Sequence, residues 1–256
     1  MPWGNGIGAL RWNHIFSSKL FMNVSATMTD YQFSFASSQD EFRFKLNSGI
    51  RDWGGKVDFT FFPNSRHKIK YGLDYIYHTF TPMSVSAEND ETVFDTGVAQ
   101  KLTNHESAAY LLDEFDLTEN IRINAGLRYS MFQHVGPFTR YVNGGIGQPD
   151  TTINFKKGEL IQFYHGLEPR VSMRWMLPGK SSIKAGYSFN YQYVQLTSLS
   201  AVSLPTDIWY PSTNVAKPQK GWQASLGYFK NLLNNKFETS VEVYYKGMNN
   251  LIEFEE

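Results

Sequence analysis

Charged side chains recur on one parity of the chain: Lys70 and Asp74, Arg122 and Arg128, Glu168, Arg170 and Arg174, Lys184, then Glu242 and Lys246. Such a set could contact a ligand or neutralise itself in ion pairs. Histidine and aspartate offer a second chemistry, since Asp90 and Asp95 with His78 or His105 are the raw material of a hydrolytic site. No spacing assembles a nucleophile, a base and an orienting group. His67, His78, His105, His134 and His165 also show no HExxH-type pairing for a metal. With no cysteine there is no disulfide framework or thiolate ligand. The glycines of GNGIG sit on a strand edge with no helix following, so they make no nucleotide site. No catalytic, cofactor-binding or metal-ligating residue is expected, and ion pairing is the default role of the charges.

The elements that carry these residues are strands. Ile121, Ile123, Ala125, Leu127, Tyr129 and Met131 alternate with Arg122, Asn124, Gly126, Arg128 and Ser130, a period of two. A partner strand precedes them, joined through the polar turn 118–120. The same alternation predicts strands over 7–15, 20–35, 68–80, 163–177, 183–193, 222–228 and 237–245. A further long strand begins at Phe42. Its apolar residues change from even (Phe42, Phe44, Leu46) to odd (Val57, Phe59, Phe61), which predicts a bulge at Gly54-Gly55. Short turns at 16–19, 63–66, 118–120, 177–180 and 231–235 alternate with longer connections, including 82–104, 136–158 and 197–219.

An apolar parity opposite an arginine-bearing one suits a soluble sandwich, with a dry core and a wet surface. It equally suits a barrel with lipid outside and water inside. Short turns at one end and loops of about twenty residues at the other favour the barrel, because such loops are uncommon in compact soluble domains. Composition agrees: 20 Phe, 15 Tyr and 6 Trp stand in a chain whose mean hydropathy is still negative, as expected of strands that are half apolar and half wet. No apolar run reaches the roughly 18 residues of a membrane helix. Lys plus Arg equals Asp plus Glu at 24 each, which gives no support to a nucleic-acid partner. The fold expected is all-β: an antiparallel transmembrane β-barrel wall of about ten strands. Lys70, Asp74, Arg122, Arg128, Glu168, Arg170, Arg174 and Lys184 are expected to line its lumen, since Arg or Lys facing lipid at mid-depth costs about 2–4 kcal/mol.

The segments AAYLLDEFDLTENIRINAGLRYS, HKIKYGLDYIYHTFTP, GLEPRVSMRW, IKAGYSFNYQYVQL, PTDIWYPS and VEVYYKGMNNLIEF resemble the C-terminal barrel of TonB-dependent outer-membrane receptors, particularly those of Bacteroidetes-type bacteria. The likeness covers nearly the whole chain in order. It implies a bacterial outer-membrane location among lipid, a plugged barrel of about 22 strands, and short periplasmic turns with long extracellular loops. It also implies an energising TonB-type protein that binds upstream of the plug, and a scarce nutrient as cargo: siderophore, vitamin, peptide or glycan. A surface lipoprotein partner is compatible with it. No cofactor is implied. Residues 1–256 show neither a signal peptide, nor a plug, nor the aromatic final strand of such barrels, and are read as a middle part of the barrel domain.

Trp209 and Tyr210 fall in a predicted external loop, where they either contact ligand or pack that loop onto its neighbours. A non-transporting adhesion or structural barrel stays open beside the importer.

Overall fold

The computed structural model describes residues 3–39, 42–88, 93–95, 100–142, 151–197 and 208–252, and among these every regular element is a strand. Ten long strands form one antiparallel wall in chain order. They are β1 (Trp3–Ile15), β2 (Leu20–Gln39), β3 (Phe42–Asn64), β4 (His67–Glu88), β6 (Leu102–Asp116), β7 (Ile121–Val135), β10 (Leu160–Leu177), β11 (Ser181–Gln192), β14 (Gln219–Leu232) and β15 (Phe237–Asn249). Short β5 (Val93–Asp95) adds to β4. Two small hairpins stand apart: β8 (Phe138–Val142) with β9 (Thr151–Phe155), and β12 (Val194–Thr197) with β13 (Ile208–Pro211). All five short turns fall where the alternation placed them, and each joins adjacent strands.

The register divides the wall into two faces. Tyr71, Leu73, Leu111, Leu127, Leu167, Val171, Leu226 and Val243 lie on one face and are exposed. An exposed apolar face of this extent is what a membrane would cover. The opposite, inner face carries the ion pairs and the grooves of the wall.

The apolar face has charged margins that alternation alone did not separate. Arg51 Nε donates to Asp30 Oδ2 at 3.0 Å toward the long-loop end. His67 Nδ1 meets Asp113 Oδ2 at 2.7 Å beside the short turns. Between these pairs the apolar face is free of charge along β2, from Leu20 to Met28.

The bulge expected at Gly54-Gly55 does not form. β2 and β3 stay in register through Thr27↔Gly54 and Ala26↔Gly55. The β3–β4 pairing shifts register elsewhere: Asn47↔Ser84 and Gly49↔Thr81 leave Pro82 and Met83 of β4 opposite Ser48 alone, and Phe61↔Ile69 and Asn64↔His67 leave Phe62 and Pro63 of β3 opposite Lys68. In β3 the even parity faces inward from Leu46 to Asp58. Its lower inner residues Lys56 and Asp58 face a polar interior, whereas Leu46, beyond the charged margin, is buried in a core. The apolar parity changes because the surroundings change.

That core sits at the long-loop end. Phe33, Leu46, Phe80, Leu102, Phe132 and Tyr193 are buried there, and β13 packs back onto β3 and β4. The connections predicted as plain loops are thus partly ordered: β4 runs on to Glu88, β8–β9 occupies part of 136–158, and β12–β13 part of 197–219. Loop residues 143–150 and 198–207 lie outside those described.

Putting arginine on the two faces at neighbouring positions tests the assignment. Leu127→Arg should destabilise the bilayer-inserted protein by about 2–4 kcal/mol, while Asn124→Arg should cost far less. Denaturant unfolding in lipid vesicles reads both; equal costs would refute the division.

Candidate functional site

The inner face below the core is polar and ordered by register. Lys70, Asp74, Arg122, Arg128, Glu168, Arg170, Arg174 and Lys184 all fall on it, through pairings such as Arg128↔Glu168, Arg122↔Arg174 and Arg174↔Lys184. Not all of them meet. Arg128 and Asp74 form an ion pair across β6, and Lys56 bridges Asp58 at 3.1 Å and Asp74 at 3.9 Å. Sequence reasoning singled out neither Lys56 nor Asp58, although both lie on the parity opposite Val57, Phe59 and Phe61.

Close approach across this network depends on a missing side chain. A Cβ on Gly72 would stand 2.3 Å from the Val57 carbonyl oxygen and 2.7 Å from Tyr110 Oη. Glycine there lets Tyr110 reach across β4 to donate to Asp58. A groove of about 490 Å³ runs beside the cluster, lined by Lys70, Tyr110, Arg128, Glu168 and Arg170 among others.

Glu168 is buried, which requires partners. Ser130 Oγ donates to it at 2.6 Å and also bonds Tyr193 Oη at 2.8 Å, while Arg170 stands 3.6 Å away. Tyr193 in turn stacks on Phe132 and Tyr191, with ring centres 5.1 and 6.1 Å apart. Tyr191 gets there because β11 leaves β10 above Arg170↔Ser188 while keeping β14 as far as Gln192↔Gln219. Gly166 receives the ring: a Cβ would lie 2.1 Å from it.

Toward the short turns the charge balance changes. Arg122 forks onto Asp116 through Nε at 2.6 Å and Nη2 at 3.1 Å. Arg174 lies directly between Arg122 and Lys184 in register. Lys184 sits over the Phe229 ring at 3.9 Å. Neither Arg174 nor Lys184 has a carboxylate partner among the described residues. Like charges side by side across strands repel; Asp116 and Glu114 neutralise Arg122 within the wall, which leaves Arg174 and Lys184 as the adjacent cations without such a partner.

The histidines do not converge. His78 points inward between Asp52, at 2.8 Å, and Glu106, at 3.6 Å. His105 points to the other face, where Nδ1 meets Tyr75 Oη at 2.6 Å. Asp90 and the side chain of Asp95 lie outside the described residues. Among the described residues no group of three or more His, Asp or Glu could hold a metal ion.

Trp209 and Tyr210 are half-buried on the β13 hairpin. Tyr210, without Trp209, lines a cavity of about 540 Å³ at the loop end, together with His134 and Arg140. His134 lies above the apolar band; burial holds its pKa below the usual histidine value, and the charge of Arg140 adds to the effect. Arg140 carried no signal in the alternation, because it belongs to a loop hairpin rather than to the wall.

Removing the hydroxyl that serves both Glu168 and Tyr193 should be costly. Ser130→Ala is expected to destabilise the protein by about 1–3 kcal/mol, the cost of leaving a buried acceptor short of a donor. Denaturation midpoints check this, and a change below about 0.5 kcal/mol would place the site among ordinary surface substitutions.

Residues 3–256 match the family described as TonB dependent receptor-like, beta-barrel. No curated protein matches the chain in sequence. Among solved structures, the chain is similar to the copper transporter OprC (TM-score 0.70, 15% identity), covering 95% of this chain and 39% of that one. It is similar to the ferric yersiniabactin uptake receptor FyuA from Yersinia pestis (0.63, 10%; 96% and 36%). It is likewise similar to the ferric citrate transporter FecA in its unliganded form (0.62, 13%; 96% and 34%). At these identities the likeness speaks for the fold, and the chain spans well under half the length of each structure. An antiparallel wall with an apolar outside, a charged inside and short turns at one end is what the matching family builds, and the protein belongs to the TonB-dependent receptor β-barrel family of the bacterial outer membrane.

Proposed function

We propose that the chain is wall from the barrel domain of an energised outer-membrane receptor that imports a scarce nutrient. Lys70, Asp74, Arg122, Arg128, Glu168, Arg170, Arg174 and Lys184 line the lumen of that barrel. A TonB-type protein supplies the energy through a plug encoded elsewhere in the parent protein. The cargo is of the siderophore, vitamin, peptide or glycan kind; solved structures similar to this wall include a copper transporter, a ferric citrate transporter and a ferric yersiniabactin uptake receptor by name.

The observation that carries this reading is the pair Arg174–Lys184, side by side in register with no carboxylate partner among the described residues. A purely structural barrel would gain by neutralising such a pair within its own wall. An excess of positive charge suits a wall that meets a separate, acidic body inside it. Trp209 and Tyr210 contribute to the ligand-facing loop surface in this reading, with Trp209 holding the hairpin and Tyr210 facing the cavity.

Two experiments test it. A strain lacking the parent gene is grown with limiting iron, cobalamin, peptide or glycan, and the gene is restored with and without the energising protein. Energiser-dependent rescue on one source is expected; rescue on none would overturn the proposal. In the intact receptor, Arg174→Gln with Lys184→Gln removes the two cations that would face the acidic body, each contact being worth up to about 1 kcal/mol. Uptake should fall severalfold at unchanged outer-membrane abundance, and unchanged uptake would refute the role of the pair.

A further inference from the structure

Arg140 lies in the middle of β8, opposite Ile153 of β9. One face of its guanidinium stacks on the Phe155 ring, 5.3 Å from the ring centre. Its Nε and Nη2 atoms are buried and have no hydrogen-bond partner among the described residues. Buried donors without acceptors are costly, and a guanidinium cannot shed its charge to relieve the cost.

The same edge of arginine is put to use elsewhere in this chain. Nε and Nη2 of Arg122 hold both oxygens of Asp116 in a two-bond fork. The edge left unsatisfied in Arg140 is therefore the one whose geometry fits a carboxylate or a phosphate. Around it the cavity of about 540 Å³ offers further polar groups, from Thr139, His134, Tyr210, Thr213 and Asn214. Thr213 is held in place by Tyr164 Oη, which donates to its carbonyl oxygen at 2.8 Å. The remaining lining includes Leu102, Phe138 and Tyr141, so the cavity mixes apolar walls with convergent polar groups as ligand sites do.

The geometry points to an anion subsite: the cavity between β8 and residues 210–215 takes a carboxylate or phosphate group of a soluble ligand, through the Nε/Nη2 edge of Arg140. Binding there requires the guanidinium, whose edge is buried, to turn on the Phe155 ring. Shelter from bulk water strengthens the contact. This rests on the import reading for the identity of the ligand as cargo, and it narrows the cargo to molecules that bear an acidic group.

The test uses the intact receptor in detergent, with citrate and inorganic phosphate as probes and glucose as the uncharged control. Titration calorimetry should show citrate binding that weakens about tenfold or more in Arg140→Gln, and less in Arg140→Lys. Should either variant fail to assemble, the wild-type protein alone remains informative. Citrate and phosphate should raise its melting midpoint above that in sodium chloride of equal ionic strength, and glucose should not. Citrate binding of equal strength in wild type and Arg140→Gln, or no binding and no shift, overturns the subsite. So does a response to vesicles of phosphatidylglycerol with none to citrate or phosphate, since that would make the anion a lipid headgroup. Energised uptake is measured on the same strains. Arg140-dependent citrate binding in a protein that imports nothing would remove the import reading and leave the subsite, whereas uptake with citrate binding indifferent to Arg140 would remove the subsite alone.

Discussion

Lipid offers no hydrogen-bond donors or acceptors, so each strand of this wall must satisfy its backbone against its neighbours and turn its two rows of side chains toward two different solvents. Much of the structure follows from that constraint. The antiparallel order from β1 to β15 keeps every long strand paired with its sequence neighbours. The register then carries charge from strand to strand along one face only, which is why Asp74, Arg128 and Lys56 come together although they are far apart in the chain. Glycine enters where a side chain must cross a neighbouring strand: Gly72 admits Tyr110, and Gly166 admits Tyr191.

The wall has two zones stacked along the strands. Near the short turns the inner face is wet and charged. Past the pair Asp30–Arg51 the surroundings outside are aqueous, and the inner face becomes a place to bury apolar groups: Phe33, Leu46, Phe80 and Phe132 gather under the β12–β13 hairpin. Between the zones, Ser130, Glu168 and Tyr193 join the polar network to the stacked rings. Loop and wall are thereby coupled by specific bonds as well as by packing.

This stacking explains what could and could not be read from the sequence. The alternation through 121–131 and the charges on its other parity are local properties, so strand identity, turn positions and the common face of Arg122, Arg128 and Arg174 were legible. The change of apolar parity along β3 was visible but misassigned. Alternation reports which residues are apolar, without reporting whether lipid or a protein core receives them, and a change of surroundings imitates a change of face. The register shift at Pro82 and Met83 lay in a stretch taken for loop. Arg140 was illegible for a related reason: the Phe155 ring beneath it and the burial of its unpaired Nε and Nη2 among the described residues are both tertiary facts.

The pair Arg174–Lys184 also bears on assembly. Arg174 and Lys184, adjacent in register and without a carboxylate partner among the described residues, leave electrostatic repulsion in the wall that an acidic surface lying against them would relieve. By thermodynamic linkage, a partner favoured by the formed wall favours the formed wall in return.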